Sequence, residues 1–502
     1  MIPPSSGEAR WGYAKSDANM PNQKARALVV TPIYTEPEVA SRIGQGAYSY
    51  FYVYRAFAPL LQRWGAITEV THPESRLDYA LWRARQQDME PLHLSFLPLD
   101  LTYLTSQAPN VSFPFWEFPD IPTTSVNNNP RMNWARIAGR TDLILASTTF
   151  TRDAFIRAGV STPVHVVPVP VQPEYGALPA WDSGQRAVLD CPCYVFPPPV
   201  AEAPNPWVPR EFEQQRRWQR LRLRQRLKLH ERGKHVYKRY MQSRMPPTVD
   251  RFLSLATRAA ASAQVVMEQE THVSYPPHPR FELSGVVYTS ILNPNDPRKN
   301  WYDLLSAYLF ALRDREDATL VVKLVVTPQH KVASLNKVIK HYQSVGVDHR
   351  CKLVLIADYL SDHQMVDLAR ASTYYINASR AEGACLPLQN FLAAGRPGIS
   401  PAHTAMTDYF HDKLGFVVDS NLEPACWLQD LDCRLTTTWH HIVWQSLHDQ
   451  IQHSYNVARE GGSRYQDMDA RARSDMIEYA GAERVWPLLA TALNSVMGET
   501  NS

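Results

Sequence analysis

Two separate lengths of the chain alternate short continuous apolar runs with amphipathic stretches. In the first length, Ala25 to Ile33, Ile67 to Thr71, Leu92 to Leu97, Val111 to Trp116, Asp142 to Ser147 and Val164 to Val169 predict buried strands. Between them, Gly46 to Leu61, Asn133 to Ala138 and Thr151 to Ala158 predict helices, the last with Thr151 as its N-cap. In the second length, strands are predicted over Leu283 to Ile291, Thr319 to Val326, Lys352 to Ile356 and Thr373 to Ala378. The helices there cover Trp301 to Leu312, Lys331 to Tyr342 and Asp362 to Ala371, with another following Pro387 and ending at Gly395. Strands apolar on both faces, separated by helices, predict two parallel doubly wound sheets. A last helical stretch, Ala470 to Leu493, has the length to cross back onto the first sheet.

The segment between the two rhythms is different. Pro192, Pro197 to Pro199, Pro204, Pro206 and Pro209 mark a proline-rich linker. Residues 211–245 are rich in Arg and Lys without an internal proline, which predicts a basic helix. Its apolar residues do not share one face, because Leu223 and Leu227 lie opposite Trp218, Leu221, Leu229 and Val236. A solvated face packed on the body is one reading; peripheral contact with an anionic membrane is the other. The domain division that follows is 24–175, a linker and basic insertion over 176–280, 281–475, and a C-terminal helix over 476–502.

Charge and cysteines narrow the classes. A net charge of +3 over 502 residues creates no global field, so no nucleic-acid partner is expected. The 6 cysteines contain no CxxC pair, which predicts a reduced, cytoplasmic protein without structural zinc. No apolar run has the length of a membrane span, so any membrane contact is expected to be peripheral.

The richest stretch for chemistry runs from Ser379 to Asn390. It places Glu382 and Gly383 in a strand-to-helix turn, with Ala384, Cys385 and Leu386 opening the helix. Such turns lie at the carboxyl edge of an open parallel sheet, where ligands bind. Gly383 permits close backbone approach, and the free amides of the helix start favour an anion. The loop Asn293 to Asn300 brings Arg298 and Lys299 just ahead of a helix, where they are either solvated loop charges or contacts for an anion. Lys323 sits in an otherwise apolar strand and needs an anionic partner or an exit to water. In the first length, Glu117 stands among aromatic residues at a strand end, which reads either as a loop carboxylate beside core aromatics or as a contact for sugar hydroxyls. Gly44 and Gly46 follow the first strand, but no G-x-G-x-x-G accompanies them, so dinucleotide binding is not supported. His403 follows the strand after Gly395 and is weighed against a structural role.

Ser379, Glu382, Gly383, Leu386, Pro387 and the run Ala394 to Pro397 together resemble the E-G-x-x-L-P-x-x-E signature of retaining glycosyltransferases of family four. The resemblance covers the second length well and the first weakly. It implies the GT-B fold, two Rossmann-like domains facing a cleft, here with a helical basic insertion. It also implies a nucleotide-sugar donor as substrate, no cofactor and no catalytic metal, and a glycan or lipid-linked acceptor. Glu382, Arg298, Lys299 and Glu117 become the catalytic candidates. Gly383, Ala384, Cys385, Leu386, Asn390, Lys323, Gly44 and Gly46 become the donor-binding ones. The family's second glutamate falls on Asn390, which keeps hydrogen-bonding capacity but not charge. A binding protein without catalysis, and an epimerase or hydrolase on the same fold, remain alternatives; no general acid or base for the latter can be placed.

Overall fold

The computed structural model describes residues 24–197, 275–427 and 436–497, apart from Gly46 and Asn127, together with Asp430. The predicted basic helix over 211–245 lies outside the described residues. Two parallel sheets carry the architecture. The first contains β1 (Ala25–Pro32), β2 (Ala66–Glu69), β3 (Met89–Phe96), β4 (Asn110–Ser112), β5 (Leu143–Ala146) and β6 (Val164–Val166) in the order β2-β1-β3-β4-β5-β6. Its neighbouring strands all pair in parallel. A short antiparallel pair, β7 (Arg186–Leu189) with β9 (Phe281–Ser284), stands apart from it.

The second sheet is built from β8 (Tyr194–Phe196), β10 (Val286–Leu292), β11 (Ala318–Leu324), β12 (Lys352–Ile356), β13 (Tyr374–Ile376), β14 (Gly398–Ser400) and β15 (Gly415–Val417). Their order is β15-β14-β13-β10-β11-β12-β8. The predicted strand Leu283 to Ile291 is broken at Gly285, whose φ is +74°. A Cβ there would lie 2.2 Å from the Asp317 carbonyl, so the strand swaps partners at this point.

Each sheet reverses its winding direction once. In the first, β1 has β2 on one side and β3 on the other; in the second, β10 stands between β13 and β11. The loops leaving the carboxyl ends at such a switch point diverge and leave a crevice. The chain beyond β3 starts at Leu97, and the chain beyond β13 starts at Asn377. Both crevices open on the space between the sheets.

Local details differ from the sequence reading in instructive ways. The helix expected from Thr151 starts at Thr149, and its N-cap is Thr148, whose hydroxyl accepts the Thr151 amide. Thr151 instead donates its hydroxyl to the Trp116 carbonyl at 3.2 Å. The strand expected through Trp116 ends at Ser112, although Phe113, Trp116 and Phe118 remain buried. Those aromatic residues pack in clusters rather than in a ladder. Trp116 sits 4.6 Å from Trp134 and 5.9 Å from Trp427, the latter beside the hairpin β16 (Ser420–Cys426) with β17 (Thr436–Ile442).

The last helical stretch is two helices, Ser463–Ala480 and Ala482–Asn494, joined at Gly481. Ala472, Met476 and Ala480 of the first pack beside the second sheet, with Phe391 and Leu392. Val485, Leu489, Ala492 and Leu493 of the second enter the core around Phe57, Leu92 and Val111. Asn494 closes this crossing by accepting the Trp64 indole N–H at 2.9 Å. No helix among the described residues is long and apolar enough to cross a membrane.

Arg396 follows Gly395 and is fully buried. It donates to the carbonyls of Ala369, Ala394 and Pro179 and lies 3.5 Å from Asp469. Removing one partner of a buried charge pair costs more than the pair itself contributes. Arg396→Ala is therefore expected to lower the unfolding free energy by about 3–5 kcal/mol. Equilibrium urea denaturation measures this, and a loss below about 1 kcal/mol contradicts the assignment.

Candidate functional site

The two crevices share one cavity of about 730 Å³. From the first sheet come Ile43, Gln45 and Tyr48 after β1, Pro98 and Asp100 after β3, and Glu117 after β4. From the second come Asp296, Arg298 and Lys299 after β10, Lys323 at the end of β11, and Glu382 to Leu386 after β13.

Close backbone packing holds the two walls together. Gly383 lies against Trp116: a Cβ on it would be 3.2 Å from the Trp116 carbonyl oxygen. Ser147 donates its hydroxyl to the Gly383 carbonyl at 2.9 Å. Asp408 accepts the amide and the hydroxyl of Thr149, satisfying the start of the helix that Thr148 caps. Arg55 pairs with Asp362 at 2.7 Å.

Three non-glycine residues around the motif adopt left-handed backbone: Asn300 at φ +45°, Cys385 at +55° and Thr404 at +50°. Such strain persists only where the surroundings enforce it. Here each instance has a neighbour to explain it. Cys385 is the N-cap position of the helix Leu386–Ala393, so the chain turns sharply into the cavity before the helix begins. Asn300 holds the same position ahead of Trp301–Leu312. Thr404 accepts the Glu382 amide at 3.1 Å on its hydroxyl, which fixes the motif carboxylate from behind.

The charged side chains form a linked group. Lys299 donates to Glu382 at 2.5 Å, and Arg298 donates to Asp296 at 2.7 Å. Arg298 Nη1 also lies 2.7 Å from Glu117 Oε1 across the cleft. That approach is an ion-pair contact without hydrogen-bond alignment, and Nη1 is buried with no acceptor of its own. Burial works against the charge of both cations. The carboxylates outweigh it: Glu117 and Asp296 raise the Arg298 pKa, and Glu382 raises that of Lys299. Burial raises the Glu117 pKa, and Arg298 only partly offsets this. Burial also opposes the charge of Asp296, but Arg298 and Lys299 prevail and hold its pKa below the usual range. Burial pushes the Tyr48 phenol up to about 12 and the Cys385 thiol higher still, so both stay protonated at neutral pH.

The structure brings together Glu117, Arg298, Lys299, Lys323, Glu382, Gly383, Ala384, Cys385, Leu386 and Asn390 in the lining of this one cavity. Gly44 is not part of it, although its neighbours Ile43 and Gln45 are. Gly44 instead presses its backbone on the other lobe, where a Cβ would lie 2.7 Å from the Val326 Cα and 2.9 Å from the Thr327 nitrogen. Its carbonyl accepts Asn293 Nδ2 at 3.3 Å. Gly46 lies outside the described residues. His403 is also outside the lining; its ring stacks on His440 at 4.0 Å, and burial lowers its pKa to about 3.

Sequence reasoning missed Asp296, Tyr48, Tyr52, Asp100 and Arg55. Asp296 belongs to the loop already singled out, where an acid one residue before Pro-Arg-Lys was a readable signal. Tyr48 and Tyr52 open an aromatic-rich helix, Ser49–Trp64, and lie one helical turn apart. Nothing in the sequence marked Arg55 or Asp100.

No family model matches the sequence, and no curated protein matches it. Among solved structures, a sucrose-phosphate synthase from Thermosynechococcus elongatus aligns at a TM-score of 0.50 and 10% identity, over 94% of this chain and 99% of that one. HepE from Anabaena, in complex with UDP and glucose, aligns at 0.47 and 11% identity, over 94% and 100%. A TarM variant from S. aureus aligns at 0.46 and 7% identity over 83% of this chain, which spans 59% of TarM.

The glycine contact yields a test. Gly44→Ala places a side chain at φ +82° against backbone that cannot swing aside. It is expected to cost about 1–3 kcal/mol, read by urea denaturation. An unchanged midpoint contradicts the interlobe packing described here. With two switch-point crevices closing on one charged cavity, and with the sucrose-phosphate synthase alignment spanning nearly the full chain, the architecture is the GT-B fold.

Proposed function

We propose that the protein transfers a sugar from a nucleoside-diphosphate sugar to an acceptor hydroxyl. The observation that carries this reading is the linked charge group in the cleft, in which Glu117 of one lobe meets Arg298 of the other and Glu382 is held by Lys299. Breaking the bond between an anomeric carbon and a diphosphate leaves positive charge on the ring and negative charge on phosphate. A site for that reaction needs cations and oriented dipoles at one end and carboxylates at the other. Arg298, Lys299 and the amides of Leu386–Ala393 provide the first; Glu382 and Glu117 provide the second.

Three carboxylates face two cations in this group, so each cation is neutralised before any donor arrives. A diphosphate binds by taking Arg298 and Lys299 over from Glu117 and Glu382, one ionic partner replacing another. The freed Glu382 carboxylate then has lone pairs for donor-sugar hydroxyls. Glu117, once Arg298 has turned to the phosphate, lies on the acceptor side. The departing phosphate accepts the acceptor proton, the transfer retains configuration, and no metal is required. The acceptor is a glycan or a lipid-linked sugar entering beside Asp100 and Tyr48.

A second reading has its own observation. Asn390 lines the cavity where the resembled family has a glutamate, which fits a protein that binds nucleotide sugars without turning them over. Incubation with a panel of labelled sugar nucleotides separates the two. Transfer or slow hydrolysis of one donor supports the enzyme; binding without turnover supports the second reading. For the enzyme, Glu382→Ala and Lys299→Ala are each expected to cut turnover at least about 100-fold with the fold intact by circular dichroism. Turnover is expected to survive EDTA. Near wild-type rates in either variant contradict the site.

A further inference from the structure

Lys323 lines the same cavity but stands outside the linked charge group. It is 3% exposed on a strand whose seven residues are all buried. It shares a face of β11 with Val321, which packs with Val354, Ile356 and Leu360. The ammonium donates to the Leu324 carbonyl at 2.8 Å. Among the described residues, no carboxylate lies within ion-pair distance of it. The charged and titratable groups that bear on it are Asp358 beyond β12, Cys191 ahead of β8, and Lys331 at the start of Lys331–Val345. Asp358 is itself held by Lys331. None of Glu117, Asp296, Arg298, Lys299 or Glu382 is among the groups that shift its pKa. The cavity therefore has two polar poles.

The sheet order fixes their separation. Glu382 follows β13, Lys299 follows β10 and Lys323 ends β11, three strands side by side. Adjacent strands are about 4.8 Å apart, so β13 and β11 are separated by about 10 Å. A diphosphate at Lys299 and the helix start therefore directs its nucleoside toward β11. Val325, Leu360 and Met365 on the same wall offer an apolar bed for a flat ring.

We propose that Lys323 marks a base subsite that selects an oxo-bearing nucleobase, of the uracil or guanine type, over adenine. This rests on the glycosyl-transfer reading above. An ammonium only donates hydrogen bonds. At the exocyclic position, uracil O4 and guanine O6 accept a hydrogen bond, whereas the adenine amino group only donates one. A buried donor that meets another donor is left unpaired, which sites of this kind reject strongly. A role in packing does not account for the residue, because burying an ammonium in an apolar strand carries a desolvation cost that a methionine avoids.

Isothermal titration of the full chain with UDP, GDP and ADP at pH 7 tests this. Wild-type protein is expected to bind UDP or GDP at least about tenfold tighter than ADP. Lys323→Met is expected to erase the preference by weakening the favoured nucleotide while leaving ADP unchanged, and Lys323→Arg to retain part of it. Burial lowers the Lys323 pKa to about 8, so the ammonium is lost above that pH. The favoured affinity is expected to fall as pH rises through about 8 in wild type and not in Lys323→Met. Should the methionine variant not fold, the wild-type preference and its pH step decide. Equal or tighter ADP binding by wild type, or an undiminished preference in Lys323→Met, overturns the base assignment alone. Absence of binding to all three nucleotides overturns it together with the glycosyl-transfer reading.

Discussion

Charge buried between two lobes is the constraint on which this structure depends. Glu117 belongs to one lobe and Arg298 to the other, and neither is free in water. An unpaired ion in such a space carries a penalty of several kcal/mol, so each lobe needs the other's charge to close. Arg298 meets that need with Asp296 on its own loop and Glu117 across the cleft. Lys299 and Glu382 meet it within one lobe. Closure therefore stores the cations in a neutralised state. A ligand anion does not meet naked positive charge there; it exchanges one carboxylate partner for another.

The backbone makes this closure possible. Gly44 and Gly383 each sit where the other lobe's main chain leaves little or no room for a Cβ. Strain gathers in the same place, at Asn300, Cys385 and Thr404. Asn300 and Cys385 aim a helix start, while Thr404 seats the Glu382 amide. The crossing helix Ala482–Asn494 adds apolar area between segments distant in sequence, so the lobe contact does not rest on ions alone.

The fold was legible because its strands are buried on both faces. Val321 and Val322, or Leu353 and Val354, leave no polar alternation, and only a covered parallel sheet accommodates that pattern. Element ends were less legible, since caps and breaks depend on partners remote in sequence. Thr148 and Thr151 are equally good caps by type; the Trp116 carbonyl, which takes the Thr151 hydroxyl, decides between them. Gly285 looked like one more strand residue until Asp317 occupied the space of its missing Cβ.

At the site, local signals were readable and cross-cleft ones were not. Glu382, Gly383, Arg298 and Lys299 lie in turns whose composition marks them. Arg55 acquires meaning only when the second lobe supplies Asp362, and Gly44 acquires a different one: the resemblance implies donor binding, and its backbone packs against Val326. Lys323 is the informative intermediate case. Its strand demanded a partner for the ammonium, and the neighbouring acid that could supply one, Asp358, is occupied by Lys331. Structural lysines in apolar strands end in an ion pair or reach bulk water; Lys323 does neither and ends at a cavity wall. With the Leu324 backbone carbonyl as its acceptor, the Lys323 ammonium keeps donors for whatever enters the cavity, which is why a lysine in an apolar strand points to the proposed base subsite.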